Sequence, residues 1–316
     1  MRCLSVILAL LVSDLRAANP ILSVADPHAV VFDKTLWIYP TGGGGGTEFF
    51  AWSSTDGSQW KKHGPILRLD EVRWIRDDGA ERHFAWAPCA IRKDRRYYFY
   101  YSVGPQNPTP SRIGVAVGDR PEGPFRDSGK PLLTGGSGFE AIDPFVFQDP
   151  ETGTCYLYAG GSAGSKLRVF ELSPDMVSFK REIPVKTPRL FTEGPFVHHH
   201  AGRYYLSYSH GNYRDASYSV HYATGETAIG PWTYQGVILA SDHRHKGPGH
   251  HSMVRLPGSE PWFIVYHRWN DREGGGPFTG KRETCIDRLE HTPDGKIARV
   301  VMTDAGVDLM QGGSRR

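Results

Sequence analysis

The chain has 316 residues and a formal net charge of +3, and 39% of its residues are hydrophobic. This length suits one large domain or two average ones, and the small net charge, without a long Lys/Arg block, argues against a nucleic-acid-binding surface. The 37 glycines, 23 prolines and 12% aromatic residues are typical of many short strands joined by tight turns, and not of a disordered chain.

The first segment, MRCLSVILALLVSDLRAANP, predicts a secretory signal peptide over residues 1–18. It has one basic residue, an apolar run from Cys3 to Val12 and small residues at Ala17 and Ala18, and it is too short to span a membrane. The alternative is that these residues form an irregular N-terminal strand. We therefore expect a secreted or periplasmic protein without a membrane span, whose folded domain covers residues 19–316.

Loss of Cys3 with the signal peptide would leave three cysteines, Cys89, Cys155 and Cys285, at wide spacings. An odd number at such spacings makes a disulfide framework or a cysteine-based metal site a poor explanation. We expect three small buried apolar side chains.

Five strand-like runs dense in aromatic residues start about 50 to 60 residues apart along the chain. They are Leu36 to Pro40, Tyr97 to Ser102, Cys155 to Gly160, Tyr204 to Tyr208 and Trp262 to His267. Each follows a second apolar run and a polar turn, so each pair predicts a β-hairpin.

Further strands follow the hairpins, most clearly in the two segments DRPEGPFRDSGKPLL and ETAIGPWTYQGVILA. Five units of three or four strands, with almost no 3.6-residue periodicity, predict an all-β fold: a single five-bladed β-propeller. Two packed β-sandwiches are the alternative, but they would not require the same proline- and glycine-containing turns to recur five times.

The prolines near the start of each hairpin predict where a functional site lies. Proline is tolerated at the inner edge strand of a blade, and it forces the residue before it into an extended conformation. Residues at this position of each blade should therefore converge at the mouth of the central channel. They are Asp26, Trp86, Asp143, Glu193 and His250, from the segments ADP, WAP, IDP, EGP and GPGHHS.

Each of these residues alone has an ordinary structural explanation, because Asp-Pro commonly starts a turn. Three carboxylates at equivalent positions of three blades are harder to explain, because crowded like charges destabilise the fold and are retained where a function requires them. Two or three carboxylates beside an aromatic wall are the requirements of glycoside hydrolysis. A third acid raises the pKa of the proton donor by like-charge repulsion, and Trp86 offers an apolar face for a sugar ring.

In this order and at these offsets, the five segments resemble glycoside hydrolase family 43, five-bladed propellers that cleave arabinose- and xylose-containing plant polysaccharides with inversion. The resemblance implies that Asp26 is the general base, Glu193 the general acid, and Asp143 the residue that tunes the acid and orients substrate. It also implies a sugar-binding arginine in the fifth blade, with Arg282 as the first choice and Arg288 as the second.

Two residues that directly follow the prolines, His28 and Phe145, are further candidates for substrate contacts. By the same resemblance, no cofactor is required, and His250 would help to hold a structural calcium ion through waters. Whether His250 or His251 lines the channel stays open at this stage.

The expected partner is a plant cell-wall polysaccharide or oligosaccharide, bound by a monomer. The chain ends at Arg316 without a further sandwich domain, which is more usual among arabinofuranosidases than β-xylosidases of the family. We therefore expect an exo-acting α-L-arabinofuranosidase. The alternatives are a β-xylosidase, then an arabinanase or galactan-active enzyme, and, as a different class, a non-catalytic carbohydrate-binding propeller.

Overall fold

The computed structural model of the chain describes residues 18–43, 46–257 and 260–309, so of the predicted signal peptide only Ala18 lies within it. The described residues form five antiparallel sheets, arranged as the five blades of a β-propeller with almost no helix. The predicted fold class is therefore confirmed.

The strands of each blade follow one another in the chain. Blade one contains β1 (His28–Phe32), β2 (Thr35–Tyr39), β3 (Glu48–Ser54) and β4 (Lys61–Arg68). Blade two contains β5 (Phe84–Lys93), β6 (Arg96–Gly104), β7 (Arg112–Gly118), β8 (Arg126–Asp127) and β9 (Leu133–Thr134). Blade three contains β10 (Phe145–Gln148), β11 (Cys155–Ala159), β12 (Arg168–Leu172) and β13 (Phe179–Ile183). Blade four contains β14 (Glu193–His200), β15 (Arg203–His210), β16 (Ser219–Gly225) and β17 (Thr233–Ala240). Blade five contains β18 (Lys246–Arg255), β19 (Trp262–Trp269) and β20 (Arg282–Leu289).

The first strands of the blades form the inner ring. Strand β1 contacts β5 and β18, β10 contacts β5 and β14, and β14 contacts β18. The N-terminal segment then closes the ring, because Ile21 donates its N–H to the carbonyl of Thr284 (2.8 Å) and Leu22 accepts from the N–H of Thr284 (2.8 Å). The start of the chain thus pairs with β20 of blade five, at the place where the other blades have a fourth strand.

The five aromatic runs are the second strands of the blades, β2, β6, β11, β15 and β19. Their tyrosines are buried, apart from the half-buried Tyr98, and a buried phenol requires a hydrogen-bond partner. In the first four blades, a tyrosine hydroxyl donates to a backbone carbonyl in the next blade or in the segment after β20: Tyr39 to Pro121, Tyr100 to Met176, Tyr158 to Ala228 and Tyr205 to Gly295. Burial of the rings and these bonds fix one blade against the next.

Cys89, Cys155 and Cys285 are buried and unpaired, as expected from their spacing. Within the described ranges, no helix has the length and the apolar character needed to cross a bilayer.

Candidate active site

A pocket of about 210 Å³ lies at the mouth of the central channel. Its lining includes all five residues at the predicted positions: Asp26, Trp86, Asp143, Glu193 and His250. This volume is below that of a typical site for a drug-sized ligand, and it is suited to a single sugar ring.

The backbone at this mouth is unusual in the same way in several blades. Asp26 and Asp143 are not extended, as the proline after each predicts, but have positive φ angles of 53° and 55°. His250, with a φ of 41°, and Gly194, next to Glu193 and with a φ of 61°, share this left-handed conformation. The inner strands of blades four and five also shift register here, at Glu193/Phe196 and at Gly249/His251. Left-handed residues and bulges redirect side chains, and such strain is concentrated at functional sites.

Asp26 is held as an ionised carboxylate. Arg282 donates from Nη1 to Oδ1 (2.6 Å), the hydroxyl of Thr41 donates to Oδ2 (2.6 Å), and His267 Nδ1 lies 3.2 Å from Oδ1. Burial opposes ionisation, but the charge of Arg282 and the contacts with His267 and His250 outweigh it. The pKa of Asp26 is therefore well below its usual range.

Glu193 is held in the opposite state. Burial is the largest cause, and the negative charge of Asp143 adds to it, so that the pKa of Glu193 rises to about 8. The hydroxyl of Tyr218 donates to Oε1 (2.8 Å) and partly offsets this rise. Glu193 is consequently protonated at neutral pH while Asp26 is ionised.

His250 is a cation among the carboxylates. Its Nδ1 lies 3.4 Å from Asp143 Oδ2 and 3.9 Å from Asp26 Oδ1. Burial lowers the pKa of His250, but Asp143, Asp26 and Glu193 together raise it to about 9. His251 points the other way, with Nε2 2.6 Å from the hydroxyl of Ser207 below the pocket. Of the two histidines, His250 is therefore the one that faces the pocket.

A calcium ion held through waters at His250 stays a prediction. In the portion of the chain that the structure describes, no group of three or more His, Cys, Asp or Glu side chains is arranged to hold a metal ion. We derive no step through a metal.

The aromatic wall is built by Trp86. Its ring is stacked on Phe84, with centroids 5.9 Å apart and planes inclined by 7°. It also covers Gly104 so closely that a Cβ there would lie 2.3 Å from the ring. Opposite, Tyr213 is 42% exposed at the rim, and the guanidinium of Arg282 lies 5.3 Å from its ring centroid.

Three of the predicted substrate contacts lie away from the pocket. His28 is buried beneath it and donates from Nε2 to the carbonyl of Ala90 (3.0 Å), and Phe145 packs on Phe196 with centroids 4.3 Å apart. Each lies two residues beyond its aspartate, which places it roughly 6.6 Å further down an inner strand. Arg288 is exposed and lies opposite Phe263, about 20 Å along β20 from Arg282.

Several pocket residues escaped the sequence analysis. Thr41 and Tyr218, which bind Asp26 and Glu193, come from outside the inner strands. Glu140 is a fourth carboxylate in the lining, with a side chain only 3% exposed, and burial followed by the charge of Asp143 raises its pKa. The sequence signal that could have placed Glu140 in the pocket is its position three residues before Asp143, in FEAIDP.

A protonated carboxyl, an ionised carboxylate and an aromatic plate around one sugar-sized pocket define this propeller as a glycoside hydrolase. Comparison with known proteins agrees, since the family model described as "Glycosyl hydrolases family 43" matches residues 17–297. The chain belongs to glycoside hydrolase family 43, whose members are inverting O-glycosidases.

Among its relatives, a β-D-galactofuranosidase of Aspergillus niger is 36% identical over 96% of this chain and 90% of its own length. A xylosidase/arabinosidase of Bacteroides ovatus is 30% identical over 88% of this chain and 94% of its own. A solved β-xylosidase/α-arabinofuranosidase from a compost microbial metagenome, in complex with xylotriose in a calcium-free form, has a TM-score of 0.71 and 29% identity, covering 88% of this chain and 94% of its own.

Proposed function

We propose that this enzyme is an exo-acting α-L-arabinofuranosidase that removes terminal residues from arabinose- or xylose-containing plant glycans. The observation that carries the proposal is the opposite protonation of two buried carboxyl groups in one pocket, Glu193 with a pKa of about 8 and Asp26 with a pKa well below its usual range. The pocket volume of about 210 Å³ favours a single terminal sugar over a long section of chain.

The chemistry follows from these two states. Glu193 gives its proton to the glycosidic oxygen as the bond from that oxygen to the anomeric carbon breaks. A water forms the new bond to the anomeric carbon from the opposite face and loses a proton to Asp26. Asp143 supplies part of the negative charge that keeps Glu193 protonated beforehand, and the cation of His250 compensates for the negative charges of Asp143 and Asp26.

A second candidate is a β-D-galactofuranosidase, which is favoured by the 36% identical Aspergillus niger relative of that name. The ring of β-D-galactofuranose has the same configuration as that of α-L-arabinofuranose, and the two sugars differ only in the exocyclic group on C4. The relatives named xylosidase/arabinosidase keep β-xylosidase activity as a third candidate.

The test is a panel of p-nitrophenyl α-L-arabinofuranoside, β-D-galactofuranoside and β-D-xylopyranoside, with arabinan, xylan and galactan as polymers. We expect wild type to hydrolyse the arabinofuranoside. Glu193→Gln should lower kcat on polymers by about 10²- to 10⁴-fold, and less on p-nitrophenyl glycosides, whose leaving group requires little protonation. Asp26→Asn should impair both classes.

Glu182→Gln is the matched control, because Glu182 lies on β13 in a surface ion pair with Arg168, and it should behave as wild type. Retention of most polymer activity by either site variant would refute the role given to that residue. If wild type binds these glycans but hydrolyses none of them, the chain is a carbohydrate-binding propeller and the proposal is wrong.

A further inference from the structure

The circular order of the blades divides the pocket into two halves. Asp26 belongs to blade one and Glu193 to blade four. Around the ring, blade five alone separates them on one side, and blades two and three separate them on the other. The anomeric carbon must lie between these two carboxyl groups, on the side of blade five, where Arg282 also lies. The ring carbons remote from the scissile bond, including C4 and its exocyclic group, therefore face blades two and three.

That half of the pocket has a polar wall which the proposed chemistry does not use. Glu140 accepts hydrogen bonds from the N–H of Ala163 (2.8 Å) and the hydroxyl of Ser162 (3.3 Å), and the side-chain amide of Gln106 also donates to its carboxylate. An ionised carboxylate offers about four acceptor sites. Ala163 and Ser162 donate to Oε2, whereas the amide of Gln106 contacts both oxygens and lies nearest to Oε1, so Oε1 keeps one acceptor site beside Gln106.

The local chain is shaped around this carboxylate. A Cβ at Gly161 would lie 2.5 Å from Glu140 Oε2 and from the side chain of Ile142, so a larger residue there would displace the wall. Gln106, by contrast, is exposed on the loop after β6, and its side-chain amide contacts Glu140 from the solvent side.

A second cavity of about 320 Å³ lies beside this wall and shares Gln106 and Glu140 with the pocket. These two side chains therefore border open space on both sides.

We propose that Gln106 and Glu140 bind the exocyclic hydroxyl groups of the terminal furanosyl residue, of which a pentofuranose such as arabinofuranose has one and a hexofuranose has two. The inference rests on the proposed function, because it places a furanosyl ring between Asp26 and Glu193. Glu140 and Gln106 are specificity-determining residues in this account, and they take no part in proton transfer.

Three p-nitrophenyl substrates form a graded series for the test: β-D-xylopyranoside without an exocyclic carbon, α-L-arabinofuranoside with one exocyclic hydroxyl, and β-D-galactofuranoside with two. We expect wild type to have a higher kcat/KM for the two furanosides than for the xylopyranoside, which offers Gln106 and Glu140 no exocyclic hydroxyl. Gln106→Ala and Glu140→Gln should lower kcat/KM for the galactofuranoside by about 10- to 100-fold, with a smaller loss for the arabinofuranoside and the smallest for the xylopyranoside.

Gln106→Ala protects the test against misfolding, since its side chain is exposed, and Glu182→Gln again serves as the control. The pH profile of kcat/KM should keep the same alkaline limb in both pocket variants, because neither side chain is the acid. Equal losses on all three substrates, or no loss on either furanoside, would overturn the inference and leave the proposed function intact. Failure of wild type on every substrate would overturn both.

Discussion

At the scale of single residues, two carboxyl groups of similar burial have pKa values shifted in opposite directions. Arg282 and Thr41 stabilise the charge of Asp26, whereas Glu193 faces Asp143 and has Tyr218 as its hydrogen-bond donor. The charge that each group meets, and not burial alone, separates a general base from a general acid.

This difference predicts the pH dependence of kcat/KM. Activity requires protonated Glu193, so it should be lost as pH rises through about 8, while Asp26 stays ionised down to low pH. Tyr218→Phe removes a donor that favours the ionised form of Glu193 and should move the alkaline limb to higher pH, with a plateau change of no more than about tenfold. Tyr208→Phe is the control, because that hydroxyl donates to the carbonyl of Arg189 outside the pocket. An alkaline limb that Tyr218→Phe does not shift would show that Glu193 is not the titrating acid.

At the scale of elements, the ring depends on a short closure between the start of the chain and blade five. Asn19 accepts from the N–H of Ile286 (2.8 Å) and donates to the carbonyl of the same residue (2.9 Å), so one side chain replaces a pair of ladder bonds. Beside it, Ile21 and Leu22 pair with Thr284 on the same strand. The closure positions β20, and with it Arg282 against Asp26.

Asn19→Ala should therefore lower the free energy of unfolding by about 1–3 kcal/mol, because both backbone groups of Ile286 lose a buried partner. Urea denaturation measures the loss. Gln148→Ala, an exposed amide at the end of β10, should stay within about 0.5 kcal/mol of wild type. Equal stability of the two variants would mean that Asn19 does not contribute to closure.

At the scale of the whole molecule, buried ionisable groups set the pH of maximum stability. Five histidines have folded-state pKa values lowered to between about 3 and 4 by burial: His28, His221, His251, His267 and His291. The unfolded chain binds more protons at these sites below about pH 6.5, so stability rises with pH up to that value. His250 and Glu193, raised to about 9 and about 8, act in the opposite sense.

Between pH 4.5 and 6.5, the raised pKa of Glu193 lowers the folding stability as pH rises, but the five histidines together raise the stability by more. Above pH 6.5, the folded state binds more protons at His250 and Glu193, so their contribution to stability is lost as pH rises through 8 and 9. Thermal unfolding across pH 4 to 10 should show a maximum near pH 6.5. A Tm that rises steadily to pH 9 would contradict this prediction.

Much of the fold could be predicted because its signals are local. The aromatic second strands and the prolines of the inner strands repeat in every blade, and their spacing is readable without any tertiary contact. The same register brought Asp26, Asp143 and Glu193 to one pocket. His28 and Phe145 lie below the pocket and not in its lining, because proximity in sequence ignores the direction in which a strand leaves the mouth.

The five blades and the residues at the start of their inner strands follow from signals within short segments, namely the aromatic runs and the prolines that precede them. The groups around those residues follow from contacts between distant segments: Thr41 beside Asp26, Tyr218 beside Glu193 and Glu140 in the pocket wall. These contacts join segments whose separation in the chain has no periodic signature. The protonation states that make the site an acid and a base depend on burial and neighbouring charge, and both arise only when the blades close into a ring.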